Sequence, residues 1–131
     1  MTTFMSMATL EDSSLVAIVE DDDLMRSALQ GLLKAVGLPA RAFASAEEFL
    51  ESGQQHDTAC LIADIRMSGM SGLELQATLN AERLRIPTIF ITAHGEERMR
   101  MQALRAGAVE FLEKPFDNKA LLESVRAALE R

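Results

Sequence analysis

Residues 60–64 read CLIAD, four apolar positions in succession and then a carboxylate. A strand with one wet face alternates apolar and polar residues, whereas a parallel strand covered by helices on both faces is apolar at both parities. CLIAD is of the second kind, and so are VAIV at 16–19 and IFIT at 89–92. Outward from these runs the chain alternates short β-branched segments with longer segments of helical period, the pattern of repeated βα units. The strand-like runs are Leu15 to Glu20, Ala40 to Ala44, Ala59 to Asp64, Pro87 to Thr92 and Val109 to Leu112, so five strands are predicted.

Helices fill the intervals. Met25, Leu29, Leu32, Leu33 and Val36 form one stripe of a helix that Gly37 can end. Ser45 before Glu48 and Ser71 before Glu74 match the capping box, in which hydroxyl and carboxylate satisfy otherwise orphaned amides, and they place the second and third helices. A fourth is expected from about Glu96 to Ala106, stopped by Gly107, and Asp117 can cap a last helix carrying Leu121, Leu122, Val125 and Leu129. Right-handed crossovers then give an α/β, doubly wound (βα)5 domain, a flavodoxin-like three-layer sandwich with parallel strand order 2-1-3-4-5. Residues 1–13 are expected to be a flexible tail and residues 14–131 the one domain.

The composition excludes several functions. Twenty acidic against 13 basic residues leave a net charge of −7, and neutralising phosphates needs clustered Lys and Arg, so direct nucleic-acid contact is not expected. Cys60 is the one cysteine, which rules out an internal disulfide or a thiolate metal cluster and fits a reducing cytoplasm. Charges interrupt every apolar stretch before the roughly 18–20 residues of a spanning helix, so no membrane insertion is expected, and the opening lacks the basic, apolar plan of a secretory signal.

In such sheets ligands bind beyond the carboxyl ends of the strands. Those ends are polar here: Glu20, Asp21, Asp22 and Asp23 after the first, Asp64 on the third, Thr92 on the fourth and Lys114 after the fifth. Carboxylates gathered together repel unless a proton or cation is shared. Oxygen ligands with retained waters suit Mg²⁺, or Mn²⁺ in its place. Lys114 can hold a phosphoryl group as a point charge and Thr92 can donate one hydrogen bond to it. The set describes phosphoryl transfer. Taken singly each residue has a plainer use: Asp22 and Asp23 as helix caps and dipole partners, Thr92 and Asp64 as local caps, Lys114 as a surface cation, Phe111 as packing, Cys60 as a small buried hydrophobe.

Four segments, VAIVEDDDLMR (16–26), LIADIRMSGMSGLEL (61–75), IFITAHG (89–95) and AGAVEFLEKPF (106–116), together resemble the receiver domain of two-component response regulators, particularly those related to nitrogen-fixation and nodulation transcription regulators. The resemblance covers about residues 15–130. It implies that Asp64 is the phosphoacceptor for a sensor histidine kinase or phosphotransfer protein, that Glu20, Asp21, Asp64 and the backbone carbonyl of Arg66 hold the metal, and that Lys114 binds phosphate across a cis Lys114–Pro115 bond. Thr92 and Phe111 resemble the switch pair, the hydroxyl moving toward the phosphoryl group as the ring turns inward. A phosphorylation-dependent homodimer through the fourth helix, fifth strand and fifth helix is the family expectation, with Met99, Met101, Arg105 and Glu110 as exposed candidates. Kinase specificity is expected around Met25, Arg26, Leu29 and Gln30 and the loop after the fifth strand.

The chain departs from the usual pattern at three places. Glu20 stands where Asp is commonest, lengthening the reach by one methylene. Ser68 replaces a common proline, which predicts a less rigid loop after Asp64. Arg66 and His94 flank the path of an attacking water in this family and are expected to set the lifetime of the phosphorylated state. His94 and His56 fall in different loops, so no zinc site is expected. An aspartate-nucleophile phosphatase, the enzymatic alternative, wants an acid two residues past the nucleophile, where Arg66 stands. A flavodoxin-type cofactor site wants a hydroxyl- or glycine-rich loop where this chain has EDDDLM. The favoured reading is the regulatory part of a transcription regulator that is not a turnover enzyme. The alternative is a stand-alone receiver acting as a phosphorelay intermediate or partner-binding switch.

Overall fold

Successive residues of a strand point to opposite sides of the sheet, and here both sides are apolar. In a computed structural model, residues 15–93 and 95–130 are described. They form β1 (Leu15–Val19), α1 (Asp23–Ala35), β2 (Ala40–Phe43), α2 (Ala46–Ser52), a 3₁₀ turn (Gln54–His56), β3 (Thr58–Asp64), α3 (Gly72–Ala81), β4 (Thr88–Thr92), α4 (Glu97–Arg105), β5 (Glu110–Glu113) and α5 (Asn118–Leu129). The five strands are parallel in the order β2-β1-β3-β4-β5, as the sequence predicts. The expected tail, residues 1–13, and His94 lie outside the described residues.

Parity divides the core. Val16, Ile18, Cys60, Ile62, Ile89 and Ile91 pack with Leu29 and Leu33 of α1 and Leu121 and Val125 of α5. Ala17, Val19, Leu61, Ala63 and Phe90 pack with Phe49 of α2, Leu75 and Leu79 of α3 and Ala103 of α4. Burial of the Val, Leu, Ile and Phe side chains among them contributes roughly 1.5–3 kcal/mol each. Cys60 is a buried packing residue, and its burial pushes the thiol up to about 12.

Capping residues set the helix ends. Asp22 accepts from the Met25 amide, Ser45 from Glu48, Ser71 from Glu74 and Asp117 from Lys119. At Ser71 the reciprocal bond from its own N–H to Glu74 completes the capping box. Gly37 and Gly107 take positive φ and close α1 and α4 with the paired amide–carbonyl bonds of a Schellman ending. Arg83 does the same after α3 at φ 62° without being glycine. Arg83→Gly is therefore expected to raise the unfolding free energy by about 0.5–1 kcal/mol, relieved Cβ strain exceeding the added freedom of the unfolded chain; a urea titration showing equal or lower stability would contradict this.

Strand limits differ from the sequence reading by a residue. Glu20 and Ala44 fall outside β1 and β2, Pro87 precedes β4 because it has no N–H for the ladder, and β5 begins at Glu110 rather than Val109. The 3₁₀ turn carries no sequence signal of its own.

Candidate functional site

Because all strands point one way, their carboxyl ends form a single edge. β1 delivers Glu20 just past Val19, β3 ends on Asp64, β4 ends on Thr92 and β5 is followed by Lys114. The Lys114 amide donates to the Thr92 carbonyl at 2.7 Å, carrying the β4–β5 ladder one residue past the strand end. The Lys114–Pro115 peptide is cis.

Lys114 Nζ lies 2.9 Å from Glu20 Oε1 and 2.9 Å from Asp64 Oδ2. Glu20 is fully buried, Asp64 is 7% exposed and Thr92 is buried beside them. Burial pushes the Glu20 carboxyl up to about 7 and the Asp64 charge adds to the rise, against the opposing hydrogen bonds from Lys114 and the Asp22 amide. Burial works against the Lys114 ammonium too, but the hydrogen bonds to Glu20 and Asp64 and their charges outweigh it and push its pKa above the ordinary lysine value.

Asp21 is exposed, yet oxygens of Glu20, Asp21 and Asp64 lie within 4.8 Å of one another. One ammonium among three carboxylates leaves a formal excess of two negative charges. The donor set is all oxygen, which fits a hard divalent ion and not a soft one.

The loop after Asp64 is tied at three amides. Arg66 N–H donates to Asp64 Oδ1 at 3.0 Å, Ser68 N–H to Asp21 Oδ2 at 3.2 Å and Met70 N–H to Glu47 Oε2 at 2.8 Å. Proline at position 68 could not make the second bond. Thus the loss of rigidity expected from Ser68 is offset by a tether only a non-proline residue provides. The Met70 amide, with Glu47's own N–H, holds the exposed Glu47 carboxyl below its ordinary range.

Some sequence expectations need correction. Leu29, offered as a kinase contact, is 2% exposed and packs under α1, because it sits on the core stripe. Arg26 is half-buried, donating to the Glu20 carbonyl at 3.0 Å and to Asp23 at 2.6 Å. Leu24, which the sequence reading passed over, is 83% exposed beside the site. Its signal was available: it is an apolar residue off the stripe of α1. Among the dimer candidates Met101 and Arg105 are exposed, but Met99 and Glu110 are half-buried, Glu110 accepting from the Phe111 amide. Phe111 is half-buried and packs on the cluster around Phe90. Asp22 and Asp23 serve as cap and first-turn acid of α1. Arg66 extends away to Glu96, at 2.8 Å.

Comparison with known proteins agrees with this geometry. The family model described as response regulator receiver domain matches residues 16–126. Nodulation protein W of Bradyrhizobium diazoefficiens is 47% identical over 118 residues, covering 90% of this chain and 52% of that protein. Transcriptional regulatory protein FixJ of Azorhizobium caulinodans is 41% identical over 122 residues, covering 93% of this chain and 58% of that protein. The crystal structure of FixJ-N aligns with a TM-score of 0.81 at 38% identity, covering 89% of this chain and 94% of that one. The chain thus spans about half the length of the two curated relatives. With its strand order, its acidic strand ends and this similarity in agreement, the chain belongs to the response regulator receiver domain family.

Proposed function

We propose that the domain accepts a phosphoryl group on Asp64 from a sensor histidine kinase or phosphotransfer protein and thereby alters the surface formed by α4, β5 and α5. The observation that carries this reading is Lys114 Nζ standing 2.9 Å from both Glu20 and Asp64 at the strand-end edge. An ammonium in that position meets the oxygens of an incoming phosphoryl group as well as the acceptor carboxylate. In the transfer an Asp64 oxygen attacks phosphorus, a P–O bond forms, the P–N bond to the donor histidine breaks, and the imidazole leaves with the electron pair. Thr92, buried on the adjacent strand end, donates its hydroxyl to the new group, and Phe111 follows it inward.

Glu20, Asp21, Asp64 and the Arg66 carbonyl would hold Mg²⁺ or Mn²⁺, which when bound neutralises oxygens of the transferring group. The domain then acts on itself alone, in its own phosphorylation and dephosphorylation, and is a switch rather than a turnover enzyme. The printed names of its relatives, a nodulation protein and a transcriptional regulatory protein, and their greater length support a place as the regulatory part of a transcription regulator. DNA contact would then fall outside this acidic domain, and phosphorylation would promote pairing through α4, β5 and α5. A site within the cytoplasm accords with a kinase partner.

Intact mass after incubation with a small-molecule phosphodonor tests the chemistry. One phosphoryl adduct is expected, dependent on Mg²⁺ and absent from Asp64→Asn. An adduct of equal yield on Asp64→Asn would overturn the assignment.

A further inference from the structure

Arg66 is bound to the acceptor through its backbone, since its N–H donates to Asp64 Oδ1 at 3.0 Å. Its side chain is engaged elsewhere: Nη2 donates to Glu96 Oε1 at 2.8 Å across 30 residues of sequence, with Met99 Sδ at 3.9 Å. Glu96 is the N-cap residue of α4, and among the described residues no side chain makes a capping hydrogen bond there. Side chains do cap α1, α2, α3 and α5. The other end of α4 is clasped to α3, where Gln76 Nε2 donates to the Ala103 carbonyl at 3.0 Å and Asn80 Nδ2 to the Ala106 carbonyl at 2.9 Å. Among the described residues an exposed ion pair tethers the front of the helix, beside Met99 packed on the core, and two amide clasps hold its back.

We infer that Glu96 is a positioning residue for the acceptor site: it competes with a phosphoryl group on Asp64 for Arg66, and its loss of Arg66 releases the front of α4 while the back stays clasped to α3. This rests on the acceptor reading above. The competition is uneven. Both members of the Arg66–Glu96 pair are more than half exposed, so the pair is weak. A phosphoryl group brings close to two negative charges and three acceptor oxygens to the carboxylate that the Arg66 backbone already touches. The planar guanidinium matches that geometry better than it matches a single solvated carboxylate oxygen. Once released, the Glu96 carboxylate can accept from the first-turn amides of α4 and sit at the positive end of its dipole. The motion this favours is a pivot about Ala103–Ala106.

Beryllium fluoride with Mg²⁺ serves as the probe, an acyl-phosphate mimic titrated calorimetrically into the parent, Glu96→Gln, Arg66→Ala and the double variant. Glu96→Gln is expected to bind it about two- to fivefold tighter than the parent. In the Arg66→Ala background the same substitution should have a smaller effect, because only the general loss of a negative charge remains. Hydrogen exchange on binding should change over the first turn of α4 and not over its last. Equal affinities of parent and Glu96→Gln, or equal effects in both backgrounds, overturn the inference while leaving the acceptor reading standing. A parent that takes up no beryllium fluoride overturns both.

Discussion

Glu20→Gln is expected to raise the unfolding free energy of the chelator-treated domain by about 2–3 kcal/mol at pH 8 and to leave it nearly unchanged at pH 5. Burial pushes the folded carboxyl up to about 7 from its ordinary value of 4.5. A group whose pKa is raised by folding gives its full stabilisation below the unfolded value, and loses it as pH rises through the folded one. Between about pH 4.5 and 7, then, ionisation of Glu20 erodes the stability of the parent, and above 7 the loss is complete. Glutamine keeps an oxygen for Lys114 and cannot ionise. It gives up one charge-assisted bond, which is why the gain stays below what the full shift would represent.

The chain has neither tryptophan nor tyrosine, so far-UV circular dichroism in urea is the suitable observable. Added Mg²⁺ should stabilise the parent by mass action and the variant much less, because the variant lacks one of the three clustered carboxylates. A variant no more stable than the parent at pH 8 would show that Lys114 fully compensates the buried charge. Stability lost at Glu20 would be the physical cost of holding a buried carboxylate at a binding edge.

Gly72→Ala is expected to destabilise by about 2–3 kcal/mol or more and to reduce phosphoryl uptake, whereas Gly31→Ala should stabilise by about 0.5–1 kcal/mol and leave uptake unchanged. A Cβ on Gly72 would collide with the Asp64 carbonyl oxygen and lie 3.0 Å from Ile65 Cα and 3.1 Å from the Asp64 carbonyl carbon. All three are backbone atoms at the end of β3, and none can turn aside as a flexible side chain could. The close approach is cemented by the Gly72 amide, which donates to the Ile65 carbonyl at 2.9 Å. Relief must therefore come from moving α3 or Asp64 itself. Gly31, in the middle of α1, would place its Cβ with nothing within 4 Å, so only helix propensity changes. Urea unfolding and intact mass on the two variants separate the cases, and a Gly72→Ala protein with parental stability and uptake would mean that the β3–α3 junction is more yielding than its contacts imply.

The convergence of the site residues on one edge is legible in the sequence because it depends on two local properties. Apolar runs at both parities mark covered parallel strands, and in a parallel sheet the residue that ends each run must lie on one edge. Glu20, Asp64, Thr92 and Lys114 are legible in this way, and the caps Asp22, Ser45, Ser71 and Asp117 are legible because capping acts over three residues. The motifs carried the family because four short segments occur together and in order, although no one of them holds the site by itself.

Only the tertiary structure decided which partner each of these side chains takes. Lys114 meets Glu20 across 94 residues and Asp64 across 50; Arg66 turns to Glu96, Asp21 receives the Ser68 amide, and Leu29 lies beneath α1 while Leu24 faces solvent. Long side chains on different elements compete for the same few charges, and the winner depends on distances between elements and on how much water each carboxylate loses. Pattern along the chain measures neither. Burial of Glu20, which raises its pKa and makes the metal-free edge costly, exists only once β1, β3, β4 and β5 stand side by side, so it belongs to the fold and not to the segment EDDD.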